Sequence, residues 1–194
     1  MQALFLLIPL AFAILRGVTR QYVFSALTTL SCAALAAPRA PLMAAALAVS
    51  ALGDWFMAHK GANQRLYRMG ILFFLLAHIL FIVYALTRAR LRPLPLVLGA
   101  ALAVGYALYL RGRVLPRVPA LLKLPAALYT AVSVLGFTAA LMTGDAAYIA
   151  GIGLLLFSDT MIAENDFLHH RACGALILPT YYLCQMLAVL SAMR

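Results

Sequence analysis

Two aspartates lie inside apolar runs of this chain, and their setting asks for a chemical reason. Asp54 closes the run Ser50-Ala51-Leu52-Gly53-Asp54 and is followed by Trp55-Phe56-Met57-Ala58. Asp159 interrupts GIGLLLFSDTMIAENDF, Gly151 to Phe167. A carboxylate in an apolar helix costs roughly 2.5–3.5 kcal/mol even on the lenient insertion scale, so it is retained mainly where it faces the protein interior and works there. A pair of such acids suits acid–base hydrolysis, with a neutral carboxyl donating a proton and a carboxylate stabilising positive charge or activating water. Ser50 lies one turn before Asp54 and Ser158 adjoins Asp159. Each is placed to support its acid with a hydrogen bond, although serine is also common at helix contacts on packing grounds alone.

The elements that hold these acids must be membrane-spanning helices. Of 194 residues, 66% are hydrophobic and 10% charged, and several runs reach the roughly 17–25 residues that cross a bilayer as a helix. Ten-residue alternating strands are absent, so the expected class is all-α, a polytopic bundle of eight helices forming one integral membrane domain over 1–194. The expected spans are 2–15, 21–37, 41–58, 66–87, 94–110, 124–142, 146–163 and 173–192. Pro125 is expected in the first turn of the sixth, where proline is well tolerated, and Thr143-Gly144-Asp145 as a tight turn into the seventh. The stretch Met1–Leu15 lacks a basic leading segment and reads as a first, short span rather than a cleavable signal.

The formal charge of +10 does not indicate nucleic acid, because the cations sit in short loops that anchor and orient helices. Membrane lipids with anionic headgroups are the fitting partners. Ten of the fifteen Arg and Lys residues fall in odd-numbered loops or, for Arg68, in the first turn of the span that follows, which places those loops in the cytoplasm. Arg88, Arg90 and Arg92 oppose that assignment. Spans three and seven run in one direction, with each acid about one turn before its helix ends. Equal depth predicts that both carboxyls face one interior cavity. Two four-helix repeats would generate such an arrangement.

Other polar residues are more ambiguous. His78, in the middle of the fourth span, either serves the site or bonds a neighbouring backbone. His59, His169 and His170 fall in loops, where interfacial solvation suits them. No spacing among these histidines, or among Cys32, Cys173 and Cys184, frames a metal site, so no metal is expected. In the eighth span Gln185 lies one turn from Tyr181, and the two are spaced to line a polar pocket.

Several separated motifs carry a resemblance. SALGDWFMAH followed by GILFFLLAHILFIVYAL resembles the third and fourth spans of the YhhN-like lysoplasmalogenase family. FSDTMIAENDF and LPTYYLCQMLAVLSA are similar to its seventh and eighth, with Asn165-x-Phe167 and Tyr182-x-x-Gln185 in place, and LPAALYTAV around Tyr129 is similar to its sixth. The resemblance implies an eight-helix bacterial inner-membrane hydrolase that cleaves the vinyl ether of a lysoplasmalogen to a fatty aldehyde and a glycerophospho-alcohol. It implies catalytic roles for Asp54 and Asp159, and substrate contacts for Ser50, His78, Tyr129, Ser158, Asn165, Tyr182 and Gln185. The implied partner is the lysophospholipid itself, with no protein partner, and the implied vinyl-ether chemistry requires no metal or organic cofactor. One departure stands out: Ser25-Ala26 occupies the place of a Lys-Pro pair at the second span, so a cation such as Arg20 would have to meet the headgroup phosphate. A proton-coupled transporter with two acids in a duplicated bundle, and a non-catalytic lipid-binding protein, are the alternatives. Release of aldehyde distinguishes the hydrolase from both.

Overall fold

The computed structural model describes residues 2–59, 61 and 63–193. Lys60 and Ala62 of the third loop and the terminal charge of Arg194 lie outside the described residues. Among the described residues there are eight α-helices and no strands: α1 (Leu7–Thr19, led by a 3-10 turn), α2 (Val23–Ala36), α3 (Pro41–Ala58), α4 (Gln64–Leu86), α5 (Pro93–Tyr109), α6 (Ala120–Thr143), α7 (Ala146–Asp166) and α8 (Gly174–Ala192). Six are long and apolar enough to cross a membrane, and the two that are shorter are α1 and α2. Large apolar side chains such as Leu94, Val97, Val104, Leu121 and Leu124 point outward, as a lipid-facing surface requires. This is a multi-pass membrane protein.

The chain forms two compact units, Met1–Tyr84 with Gln185–Arg194, and Ala85–Cys184. The division falls in the last turn of α4 and again in the middle of α8. In the first unit α1 packs on α2 and α2 on α3. Small residues make the second contact possible: Cys32, Ala33 and Ala36 on α2, and Ala46 on α3, are buried, and small side chains let helix backbones approach in a medium with no hydrophobic drive between them. Gly53, next to Asp54, lies under the Phe74 ring of α4, where a Cβ would stand 3.1 Å from the ring carbons.

In the second unit α5 packs on α6 and α6 on α7. Gly144 ends α6 in the left-handed region at φ 71°, a conformation glycine adopts freely. Asp145 then caps α7 by accepting the Ala147 and Tyr148 amides at 2.9 and 3.1 Å. The tight turn expected at 143–145 is therefore present.

Two expectations are corrected. Pro125 is not in a first turn, because α6 begins at Ala120 and the proline falls inside the helix. Its ring carries no N–H, so the Leu121 carbonyl one turn earlier loses its helical donor. The seventh helix does not stop at 163 but continues to Asp166. The reason is that Glu164 is buried and paired (below), so the polar Glu-Asn-Asp stretch extends the helix. Asp159 consequently lies seven residues before the end of α7, about 10 Å, whereas Asp54 lies four before the end of α3, about 6 Å. Measured from its own helix end, each acid has a different depth.

Candidate active site

In the first unit Asp54 is 7% exposed. Its Oδ2 accepts a hydrogen bond of 2.6 Å from the Thr29 hydroxyl of α2. Threonines inside this chain ordinarily donate to the carbonyl one turn back: Thr28 to Phe24 at 2.7 Å, Thr130 to Ala126 at 2.9 Å, Thr160 to Leu156 at 2.8 Å. For Thr29 the corresponding distance to the Ser25 carbonyl is 3.4 Å. The hydroxyl has turned from its own helix toward the carboxyl group of Asp54.

The second unit repeats the device with different residues. Asp159, on the third helix of that unit, accepts from Tyr129 at 3.0 Å and from Ser133 at 3.5 Å, both on the preceding helix α6. Each acid is thus held by a hydroxyl from the helix before it, α2 for Asp54 and α6 for Asp159. A four-helix repeat predicts that correspondence.

The remaining residues singled out from the sequence are placed as follows. Ser50 is buried, and its hydroxyl donates to the Ala46 carbonyl of its own helix at 3.0 Å. Ser158 donates to the Ile177 carbonyl of α8 at 3.1 Å, tying α7 to α8 within the second unit. His78 is buried in α4 with Nδ1 2.8 Å from the Phe74 carbonyl. A carbonyl only accepts, so Nδ1 is the donor in this contact. Asn165 donates to Asp166 at 2.9 Å, next to Gly174 at the start of α8. Tyr182 is buried, its ring 5.7 Å from that of Tyr181. Gln185 is 1% exposed, and neither Oε1 nor Nε2 finds a hydrogen-bond partner among the described residues.

Sequence reasoning passed over Thr29 and Ser133. The only signal was a hydroxyl inside an apolar span, one of many. It also passed over a polar cluster around Glu164, which accepts from the Tyr109 hydroxyl at 2.6 Å and meets His170 Nδ1 at 2.6 Å. His169 takes a left-handed backbone at φ 60°, which turns the chain so that the His170 amide also reaches the Glu164 carbonyl at 3.0 Å. One turn deeper Tyr106 bonds Thr160 at 2.8 Å, so α5 is fastened to α7 by two tyrosines. Among the described residues no three His, Cys, Asp or Glu side chains gather into a group that could hold a metal ion.

The model of the YhhN family matches residues 4–192. The chain belongs to the YhhN family. The match covers both units and therefore both aspartates. No curated protein and no solved structure matches the chain.

Proposed function

We propose that this YhhN-family protein is a lysoplasmalogenase-type hydrolase of a bacterial inner membrane, in which Asp54 and Asp159 divide the acid and base roles. The observation that carries the reading is the pairing of each intramembrane acid with a hydroxyl of the preceding helix. A carboxyl fixed by such a donor keeps one orientation, and positioned acid–base groups contribute about 10²–10⁴-fold to rate. Family membership supports the same reaction.

The substrate is a single-chain 1-alkenyl glycerophospholipid with a choline or ethanolamine headgroup. One carboxyl gives its proton to the vinyl carbon that does not bear oxygen, and the double bond's electron pair forms the new C–H bond. This leaves an oxocarbenium ion, which the other carboxylate stabilises. Water adds to the cationic carbon and loses a proton to that carboxylate. In the hemiacetal the bond to the glycerol oxygen breaks, that oxygen takes a proton, and the hydroxyl proton departs. The sum is one water consumed, one fatty aldehyde and one glycerophospho-alcohol formed.

The test is aldehyde release by purified protein in detergent, with wild type beside Asp54→Asn, Asp159→Asn and the double variant. Each single variant is expected to lose on the order of 10²-fold or more. The double variant should lose little beyond either single, because groups that act as a unit are not additive. Near-wild-type release by both single variants would mean the acids are structural. No release by wild type, together with proton-dependent solute uptake in vesicles, would replace the hydrolase with a transporter.

A further inference from the structure

We infer that the side-chain amide of Gln185 reads the free hydroxyl on the glycerol carbon next to the vinyl ether, and so selects a single-chain lipid over its 2-acylated parent. The inference rests on the hydrolase reading above and adds to it a residue that sets specificity.

Gln185 is almost fully buried, yet both ends of its amide lack a partner among the described residues. A desolvated, unpaired polar group costs roughly 1–3 kcal/mol, so an amide with both ends unpaired is an expensive residue to keep in an apolar helix. Other buried polar side chains of the same unit find partners within it: Thr28 on Phe24, Thr29 on Asp54, Ser50 on Ala46. The amide offers one acceptor and an N–H donor side by side. A hydroxyl answers both from one atom, donating to Oε1 and accepting from Nε2. An ester or ether oxygen in that place can only accept, and leaves Oε1 unpaired.

The placement suits this role. From Gln185 onward α8 packs in the same unit as α2 and α3. Asp54 lies thirteen residues from the start of α3, about 20 Å, and Gln185 seven residues from the end of α8, about 10 Å. Those two helix ends belong to the same membrane face. Side chains lean toward the N-terminus of their own helix, and the two helices run in opposite directions. The carboxyl and the amide therefore lean toward one another's level and narrow the roughly 10 Å difference along the helix axes. The offset that is left is on the scale of a few covalent bonds of about 1.5 Å. A 2-hydroxyl oxygen and the oxygen-bearing vinyl carbon, joined through two glycerol carbons and the ether oxygen, are separated by such a length.

The experiment compares three lipids with purified wild type: the 1-alkenyl lysophosphoethanolamine, its 2-deoxy analogue and its 2-O-methyl ether. The value measured is kcat/KM for aldehyde release. Wild type is expected to prefer the hydroxyl lipid by about 10²-fold or more, as sites built to hydrogen-bond a hydroxyl reject analogues lacking it. Gln185→Met, similar in shape but apolar, should lower the rate on the hydroxyl lipid alone and bring the three lipids within about fivefold. An equal fall on all three lipids would overturn the assignment, because a structural role lowers every rate together. Equal wild-type rates on the three would overturn it as well, whether or not the methionine variant folds. Failure of the hydrolase reading has a different signature: no aldehyde from any of the three lipids with wild type, which overturns both.

Discussion

Replacing Thr29 by valine removes one hydroxyl and almost no volume, and it isolates the hydrogen bond that holds Asp54. The structure sets the magnitude. Thr29 is fully buried, its hydroxyl stands 2.6 Å from Asp54 Oδ2, and the alternative acceptor, the Ser25 carbonyl, is at 3.4 Å. A hydrogen bond to a charged group contributes about 1.5–3 kcal/mol. If that bond is made to the carboxylate during the reaction, its loss lowers kcat/KM by about 10- to 150-fold at 1.36 kcal/mol per decade. Thr28→Val is the matched control, because its hydroxyl is spent on the Phe24 carbonyl at 2.7 Å. It is expected to stay within about fivefold of wild type, in keeping with the roughly 1 kcal/mol net value of an ordinary hydrogen bond. Thr29→Ser keeps the donor and should recover most of the loss. The assay is initial-rate aldehyde release in detergent, with thermal unfolding followed in parallel to separate activity from stability. Equal activities for Thr28→Val and Thr29→Val, at equal stability, would refute the idea that Thr29 positions the acid.

Two further outcomes follow from the packing and the residue inventory. Gly99→Ala should destabilise the second unit by about 1–3 kcal/mol, the usual range for overpacking. A Cβ there would stand 2.4 Å from Thr138 Cγ2, and that threonine is held by its bond to the Val134 carbonyl at 2.9 Å. Thr138→Ala should restore the unfolding temperature, and an unchanged temperature for Gly99→Ala alone would show that α5 and α6 are not so close. Aldehyde release is expected to persist after exhaustive chelation, because the described histidines and acids form no ligating group of three. Loss of activity that zinc restores would redirect the mechanism to a metal-bound water.

Hydropathy and punctuation alone made the helices legible, because a bilayer forces each spanning segment to satisfy its own backbone hydrogen bonds. For α3 the expected span 41–58 coincides with the helix Pro41–Ala58. The turn at Gly144-Asp145 was legible for a local reason, since a left-handed glycine and a capping carboxylate act on residues within one turn. Asp54 and Asp159 were legible as candidates because charge in an apolar run is rare. What holds them was not. Thr29 contacts Asp54 across 25 positions of sequence and Tyr129 contacts Asp159 across 30, and nothing local distinguishes those hydroxyls from the ones that donate back into their own helices. The end of α7 was misjudged for the same reason. Glu164 reads as the polar edge of a span until Tyr109, 55 residues earlier, and His170 satisfy its carboxylate and let the helix continue. Short-range patterns determine where this chain is helical and where it turns. Which buried polar group meets which is decided only when helices far apart in sequence pack together, because a hydrogen bond depends on distance in space, and hydropathy carries no information about it.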